Sequence, residues 1–225
     1  MTIPSALRAL YSAVLEAVFP TPAAELEALS MNGEQALSLL PRASQFPIAE
    51  ACSIFSYKDE RAWRLIWALK YKKSRRAAEI TGYALNSILD VYARAAGRII
   101  IVPMPITQRR RRERGYNQCE LLADAIEKIG SANNIFIIRD LLFRVRHKSR
   151  QTLKDRSHRL ASAEDLFAVN EDAAQRIKNE GIPVRNDELI IVIDDVVTTG
   201  GTIRDAVHTL RRAGFQNAFG LSVAH

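Results

Sequence analysis

The sequence is poor in cysteine, short of acidic charge and without a long apolar run, and each shortage excludes a class of protein. Its two cysteines, Cys52 and Cys119, stand far apart in 225 residues, so a disulfide framework or a cysteine-based zinc site is excluded. A reducing, cytoplasmic location is therefore expected. Apolar residues recur with helical spacing near the N-terminus, but Arg8 and Glu16 interrupt them, which favours a packed amphipathic helix over a signal peptide or a membrane span.

Basic residues exceed acidic ones, with 32 Lys and Arg against 25 Asp and Glu and a net charge of +7. Such an excess predicts an anionic partner: nucleic acid, a membrane surface or a phosphorylated small molecule. Three stretches, residues 70–76, 109–114 and 139–159, hold more than half of the basic residues. Each stretch taken alone is also explained as a solvated face or loop.

The pattern of apolar residues predicts an α/β fold preceded by a mainly helical N-terminal extension. Residues 1–60 are assigned to the extension and residues 61–225 to the α/β domain. Helices interrupted near Ser74 are expected to open the domain. Apolar, largely β-branched runs then alternate with segments of helical spacing, which indicates a mostly parallel sheet covered by helices on both faces. The predicted strands are residues 98–102, 135–138, 189–193 and 217–223.

Two helices of this domain have recognisable ends. Asn117, followed three residues later by Glu120, is typical of a capping box at a helix start. Thr202 and Asp205 are expected to cap a second helix, which Gly214 ends. Because ligands of parallel sheets bind beyond the carboxyl ends of the strands, the loop before this second helix is a candidate site.

That loop combines paired acids with a glycine turn. Asp194 and Asp195 end a predicted strand, and residues 198–202 (TTGGT) lead into the helix. Glycines let backbone amides approach a phosphate at the positive end of the helix dipole, and the hydroxyls add donors. Paired carboxylates repel phosphate and suit a diol or a divalent cation. The loop is therefore expected to bind a sugar phosphate; the weaker alternative is an ordinary turn before a capped helix.

Residues 191–202 (IVIDDVVTTGGT) resemble the motif with which type I phosphoribosyltransferases bind 5-phosphoribosyl-1-pyrophosphate (PRPP). The resemblance implies a type I phosphoribosyltransferase-like fold. It also implies that Asp194 and Asp195 contact the ribose hydroxyls, directly or around Mg²⁺, which is the expected cofactor. The turn that would hold the 5′-phosphate consists of Thr198, Thr199, Gly200, Gly201 and Thr202.

A second set of residues makes the chain similar to the ComF/GntX family, which is associated with competence, over about the last 160 residues. It comprises Lys70 and Tyr71, residues 102–105 (VPMP), residues 112–118 (RERGYNQ), and Gln151 and Arg156 ahead of Phe167. That family normally begins with a four-cysteine zinc ribbon after a Phe-Pro segment. Here Phe19 and Pro20 are followed by TPAAE, so the zinc ribbon is not implied.

The family resemblance also implies a pyrophosphate site, in a loop over residues 105–117 after the first strand of the α/β domain, and a lid. The leaving pyrophosphate needs cations, and the planar fork of arginine can pair with two phosphate oxygens. Residues 144–159 are expected to form a lid that excludes water. No general base stands out in the sequence. The expected pyrophosphate-binding residues are Lys70, Tyr71, Arg109, Arg112, Arg114, Gly115 and Asn117, and the expected catalytic residues are Asp194, Asp195, Arg114, Lys148 and Arg150.

Three hypotheses for function follow. The first is a Mg²⁺-dependent phosphoribosyltransferase, a pentosyl glycosyltransferase that moves 5-phosphoribosyl from PRPP to a nitrogen nucleophile, such as a nucleobase or related amine, and releases pyrophosphate. The second is a competence protein for DNA uptake that binds single-stranded DNA. The third is a sensor of PRPP or nucleotides without turnover. The acceptor is unidentified, and single-stranded DNA and a second copy of the chain stay open as partners.

Overall fold

The computed structural model describes residues 22–44, 48–96, 98–130, 134–145, 166–179 and 188–225. These residues form eight helices and seven strands. The helices are α1 (Ala23–Ser30), α2 (Gly33–Leu39), α3 (Glu60–Tyr71), α4 (Arg75–Ala96), α5 (Gln108–Arg114), α6 (Gln118–Ile129), α7 (Glu171–Asn179) and α8 (Gly201–Arg212). The strands are β1 (Ala51–Phe55), β2 (Ile99–Pro103), β3 (Ile135–Ile137), β4 (Leu142–Arg144), β5 (Phe167–Val169), β6 (Leu189–Val196) and β7 (Ala218–Ala224).

Five strands form one parallel sheet in the order β1-β7-β6-β2-β3. In its register Ile101 of β2 lies between Ile191 of β6 and Ile137 of β3. All five residues of β2 are buried, as the continuous apolar run predicts for a strand covered on both faces. The α/β fold class and the mostly parallel sheet flanked by helices are thereby confirmed.

The two faces of the sheet have separate apolar cores, because successive strand side chains point in opposite directions. Ile99 and Ile101 of β2 pack with residues of α3, α4 and α6. Ile100 and Val102 pack on the other face with residues of α8, α7 and the small antiparallel pair β4-β5. Each buried face thus removes its own row of β-branched side chains from water, which is the main driving force for this architecture.

The chain crosses the sheet in opposite directions on either side of the β2-β6 pair. From β2 it moves outward to β3, whereas from β6 it moves outward to β7 on the other side. The connections therefore diverge at the carboxyl ends of β2 and β6 and leave a crevice there. In open α/β sheets this topological switch point is where ligands bind.

The N-terminal helices α1 and α2 pack against α3 and α4, with Ala28, Met31 and Ala36 in the same apolar core. The expected helical extension is thus represented by α1 and α2. The division of the chain at residue 60 stays a prediction, and β1, which precedes that position, pairs with β7 as an edge strand of the main sheet. The predicted amphipathic helix near the N-terminus lies outside the described residues.

The observed ends of α6 and α8 agree in part with the ends predicted from the sequence. Asn117 caps α6 by accepting from the amide of Cys119 at 3.0 Å, but the carboxylate of Glu120 accepts from Arg111 at 2.8 Å. The predicted Thr202/Asp205 cap of α8 is wrong. The helix begins at Gly201 and its N-cap is Gly200, which makes no side-chain capping hydrogen bond.

The ending of α8 at Gly214 is confirmed, since this glycine follows the helix with a positive φ of 98°. In the part of the chain that the structure describes, no helix combines the length and the apolar character needed to cross a membrane.

Gly220 of β7 tests the close packing of α8 and β1 on the sheet. A Cβ at this position would lie 2.5 Å from Cδ1 of Ile203 and 2.9 Å from Cβ of Ala51, so we expect Gly220→Ala to lower the free energy of unfolding by about 1–3 kcal/mol. Gly201→Ala is the control, because the nearest atom to its Cβ is Oγ1 of Thr199 at 3.8 Å. Urea unfolding measures both, and equal stability of Gly220→Ala and the wild type would contradict the packing.

Candidate functional site

A pocket of about 460 Å³ lies at the crevice between the carboxyl ends of β2 and β6. The end of α3, the helix α5 and the first turn of α8 complete its walls. It brings together the paired acids, the glycine turn and part of the basic charge. The residues of chemical interest that line it are Lys70, Tyr71, Thr107, Arg110, Arg114, Gln118, Arg144, Asp194, Asp195, Thr198, Thr199, Gly200, Gly201 and Thr202.

Asp194 and Asp195 lie near the carboxyl end of β6, and their side chains point to opposite faces of that strand. The carboxylate of Asp195 is 2% exposed and lies 3.1 Å from Nζ of Lys70, at the end of α3. Oδ1 of Asp194 lies 3.4 Å from Sγ of Cys119, in the first turn of α6, and accepts from the amide of Asp195 at 2.9 Å. The two acids thus contact the ends of two helices, α3 and α6, and both line the pocket.

Burial of this pair changes its proton affinity. Desolvation, followed by repulsion from Asp195, raises the pKa of Asp194 to about 8. Desolvation and both carboxylates also raise the pKa of the Cys119 thiol well above its usual value. One proton is consequently held on Asp194 near neutral pH, and a cation bound at the pair would displace it.

The donor set of the pair fits a hard cation. Single oxygens of Asp194 and Asp195 and the sulfur of Cys119 all lie within 4.8 Å of one another. Magnesium is commonly held by one or two carboxylates, with phosphate oxygens of the substrate completing its shell. Cys119 remains a protonated thiol, so it is a poor ligand for such an ion.

The turn at residues 198–202 has the backbone of an anion cradle. Gly200 has a φ of +81°, a conformation that favours glycine, and an added Cβ would lie 3.2 Å from the side chain of Ile48. Thr198, Thr199 and Thr202 are exposed, and the amides that follow Gly200 belong to the N-terminus of α8. All five predicted phosphate-binding residues therefore line the same pocket.

The structure divides the predicted pyrophosphate residues into two groups. Lys70, Tyr71 and Arg114 line the pocket. Arg109 and Arg112 line a neighbouring groove instead, and the side chain of Arg109 is 87% exposed and paired with Glu113 at 2.7 Å.

Gly115 and Asn117 shape the ends of helices. Gly115 ends α5 with a φ of 77°, and Asn117 donates from Nδ2 to the carbonyl of Met104 at 3.0 Å. The catalytic candidates Lys148 and Arg150, with most of the expected lid, lie outside the described residues.

Sequence reasoning missed four polar residues of the pocket: Thr107, Arg110, Gln118 and Arg144. The arginine-rich stretch 109–114, read as a loop, is helix α5, so Thr107, Arg110 and Arg114 fall on one face at helical spacing. That spacing could have predicted that Arg110, and not Arg109, lines the pocket together with Arg114. Burial, and then repulsion from Arg110, lower the pKa of Arg144, which marks a site short of negative charge.

Tyr116 joins the segment after α5 to the end of α3. Its phenol donates to the carbonyl of Leu69 at 2.7 Å and accepts from the amide of Lys73 at 3.0 Å. Lys73 has a φ of 49°, which is uncommon for a residue other than glycine. The phenol therefore fixes the turn after α3 and, with it, the position of Lys70.

Two curated proteins are similar to this chain. One is "Competence protein F" of Haemophilus influenzae, 34% identical over 122 residues, which are 52% of this chain and 45% of that protein. The other is "Competence protein ComFC" of Bacillus subtilis, 26% identical over 164 residues, which are 72% of this chain and 58% of that protein. The matched part thus spans about half the length of these relatives. No family model matches the chain.

The parallel sheet, the acid pair at the end of β6 and the glycine turn before α8 define a type I phosphoribosyltransferase-like fold. The two relatives support the resemblance to the ComF family that the sequence predicts.

The raised pKa of Asp194 predicts how stability depends on pH. A carboxyl whose pKa rises from about 4 in the unfolded chain to about 8 in the folded one loses stabilisation as pH increases between these values. Asp194→Asn removes this loss, so its stability relative to the wild type should grow from pH 4 to pH 8. Thermal unfolding across that range measures it. Asp172→Asn, an exposed acid of α7, is the control, and parallel curves for Asp194→Asn and the wild type would contradict the burial of this acid.

Proposed function

We propose that this protein binds PRPP with Mg²⁺ and transfers its 5-phosphoribosyl group to a nitrogen nucleophile. The observation that carries the proposal is the meeting, in one pocket, of two carboxylates, a glycine turn at a helix N-terminus and several cations. A ligand that satisfies all three must carry hydroxyls, a terminal phosphate and a second anionic group. PRPP has these parts, with the ribose hydroxyls between the 5′-phosphate and the pyrophosphate.

The pocket suggests how PRPP would lie. The 5′-phosphate is proposed to sit on the amides and hydroxyls of residues 198–202, where the helix dipole of α8 favours an anion. The ribose hydroxyls would then face Asp194 and Asp195. The pyrophosphate would then face the cationic wall of the pocket, which is formed by Lys70, Arg110, Arg114 and Arg144.

The proposed reaction is a displacement at C1 of the ribose. The acceptor nitrogen forms a bond to C1 as the bond from C1 to the pyrophosphate oxygen breaks. The departing pyrophosphate takes the electron pair of that bond, and the acceptor nitrogen releases its proton to solvent. Positive charge that develops on the sugar is favoured by the carboxylates of β6, and negative charge on the leaving group by the arginines.

Asp194 and Asp195 would hold Mg²⁺ together with ligand oxygens, and the ion when bound would neutralise charge on the pyrophosphate. The ion pair with Lys70 would hold the carboxylate of Asp195 in place beside the ribose. Asp194 can release its proton when a cation or a polarised hydroxyl arrives, because its pKa of about 8 is close to neutrality.

Calorimetric titration with PRPP and Mg²⁺ tests the binding step. We expect the wild type to bind and Asp194→Asn/Asp195→Asn to bind at least about tenfold more weakly, since both ribose and cation ligands are lost. Removing Mg²⁺ with a chelator should weaken binding in the wild type. No heat of binding at millimolar PRPP would refute the proposal.

Two neighbouring arginines provide a matched pair for the same titration. Arg110→Ala should weaken PRPP binding about tenfold because Arg110 lines the pocket, whereas Arg109→Ala should leave it unchanged because Arg109 points away to Glu113. Release of pyrophosphate with a panel of nucleobases and amines then separates an enzyme from a sensor. Binding without release would favour the sensor hypothesis.

A second candidate function is the binding of single-stranded DNA; the two relatives are named as competence proteins. It is favoured by a neighbouring groove of about 680 Å³ beside α5, which Arg109 and Arg112 line and which shares Arg144 with the PRPP pocket. Fluorescence anisotropy with a labelled oligonucleotide discriminates the two. Salt-dependent binding that survives Asp194→Asn/Asp195→Asn and is lost in Arg109→Ala/Arg112→Ala would support a polymer site separate from the PRPP pocket.

A further inference from the structure

One side chain beside the acid pair has no part in the proposed binding of PRPP: the thiol of Cys119. It lies in the first turn of α6, is 0% exposed and donates to Oδ1 of Asp194 at 3.4 Å. Among the described residues, Cys119, Asp194 and Asp195 are the one group of three acidic, thiol or imidazole side chains whose ligand atoms are close enough to share a metal ion. The carboxylates thus have a sulfur neighbour that magnesium does not use.

The spacing of these ligand atoms suits a four-coordinate metal. Zinc is held at about 2.3 Å from sulfur and about 2.0–2.2 Å from carboxylate oxygen, almost always in tetrahedral geometry, which places a sulfur and an oxygen ligand about 3.6 Å apart. Sγ of Cys119 lies 3.4 Å from Oδ1 of Asp194, and the sulfur and one oxygen of each acid all lie within 4.8 Å of one another. Small movements of the three side chains would therefore enclose one ion.

An oxygen without a hydrogen bond points to a ligand at the same place. Oδ2 of Asp195 is buried and accepts no hydrogen bond from the described residues. Nζ of Lys70 lies 3.1 Å from this oxygen and balances its charge, but its direction is outside hydrogen-bond geometry. Because a buried polar atom without a partner is costly, coordination of a cation by Asp195 would remove a cost that the protein alone leaves in place.

The donor set favours zinc over magnesium. Magnesium takes oxygen ligands and keeps several waters, whereas thiolate sulfur selects softer ions such as Zn²⁺. The chain has too few cysteines for a zinc site made of sulfur alone, but this cluster needs a single thiolate. Two carboxylates and one thiolate around a divalent ion leave one negative charge, which the ammonium of Lys70 balances. The cluster with its ion would therefore be neutral, which lowers the penalty of burying it.

Asn117 fixes the position of the thiol. Its Oδ1 accepts from the amide of Cys119 at 3.0 Å, and its Nδ2 donates to the carbonyl of Met104 at 3.0 Å. The start of α6 is thereby tied to the segment after β2, the strand that pairs with β6. Supporting hydrogen bonds of this kind are typical of metal sites, in which they hold the ligands in place.

We propose that Cys119, Asp194 and Asp195 form a binding site for Zn²⁺ at the wall of the candidate PRPP pocket. The ion enters from the pocket, which both acids line, and it bonds to the sulfur and to one oxygen of each acid. The protons of the Cys119 thiol and of Asp194 pass to solvent. Three protein ligands leave a fourth position for water or for an oxygen of a bound ligand. This site goes beyond the proposed function, because Zn²⁺ held by these carboxylates would exclude Mg²⁺ from them.

Cobalt(II) is the spectroscopic probe for this site, because Co²⁺ bound to a thiolate gives a sulfur-to-metal charge-transfer band in the near ultraviolet. We expect this band when Co²⁺ is added to the full chain with both cysteines reduced. Zn²⁺ should abolish the band, since zinc binds more tightly than cobalt to sites of this kind. Mg²⁺ at the same concentration should leave the band in place.

The two cysteines provide a matched pair of variants. Cys119→Ser should lose the band, whereas Cys52→Ser, on β1, should retain it. Because the sequence has only these two cysteines, a band in Cys52→Ser arises from Cys119 even where Cys119→Ser does not fold. Circular dichroism checks the folding of both variants.

Competition between Co²⁺ and Zn²⁺, and calorimetry where the band is lost, give the affinities for zinc. We expect Cys119→Ser to bind Zn²⁺ at least about tenfold more weakly than the wild type, since loss of a group that merely supports a ligand already costs about 10–100-fold. Serine keeps a donor toward Asp194, so Cys119→Ser should bind PRPP with Mg²⁺ as the wild type does. A purely structural role of the thiol would instead change both affinities together.

The outcomes separate this inference from the proposed function. A thiolate band that depends on Cys119 supports the zinc site whether or not PRPP binds. If PRPP binds with Mg²⁺ but Co²⁺ gives no thiolate band, or Cys52→Ser loses the band, the zinc site is refuted and the PRPP pocket stands. Equal affinity of Cys119→Ser and the wild type for Zn²⁺ would also overturn the inference, because the ion would then be held by other residues.

Discussion

The charge of Asp195 constrains the arrangement of the whole candidate site. A carboxylate that is 2% exposed needs a partner, because an uncompensated buried charge is strongly destabilising. The partner is Lys70, and it comes from the helical layer above the sheet and not from the strand's neighbours. The end of α3, the carboxyl end of β6 and the phenol of Tyr116 beneath the α3 turn are therefore held in one fixed relation.

The same burial explains why basic charge gathers here. With Asp195 neutralised by Lys70 and a proton held on Asp194, the acid pair contributes little net negative charge near neutral pH. Arg110, Arg114 and Arg144 then leave the pocket strongly positive, and repulsion from Arg110 adds to burial in lowering the pKa of Arg144. On the proposed function, a polyanionic small molecule would relieve this imbalance and would account for part of the net charge of +7 without a polymer.

Much of the fold could be predicted because its signals are local. The β-branched runs of β2 and β6 are continuous, and only a strand buried on both faces explains them. The acid pair and the glycine turn are adjacent in sequence, so their shared pocket followed from the position of one strand end. The cap of α8 was mispredicted because Gly200 turns the chain with a positive φ, a geometry that no side-chain pattern encodes.

The missed residues depend on tertiary packing. Arg110 and Gln118 enter the pocket through the phase of α5 and the start of α6, which cannot be set while the arginine stretch is read as a loop. Arg144 arrives from β4, which pairs with β5 and not with the main sheet. Trp63, Trp67 and Tyr71 have the spacing of one face of a core helix. Only the burial of Leu65 and Leu69 on the opposite face of α3 shows that these three rings lie at the surface.

Tyr116 also joins two parts of the pocket that the proposed function would use together. Its phenol holds both the Leu69 carbonyl and the Lys73 amide, and the segment to which it belongs leaves α5 directly. A displacement of α5 as a leaving group departs would therefore also move the end of α3, where Lys70 contacts Asp195. On the proposed function, kinetics would express this as synergy: occupation of the pyrophosphate wall would change the affinity for the acceptor, and the acceptor would change the affinity for pyrophosphate by the same factor.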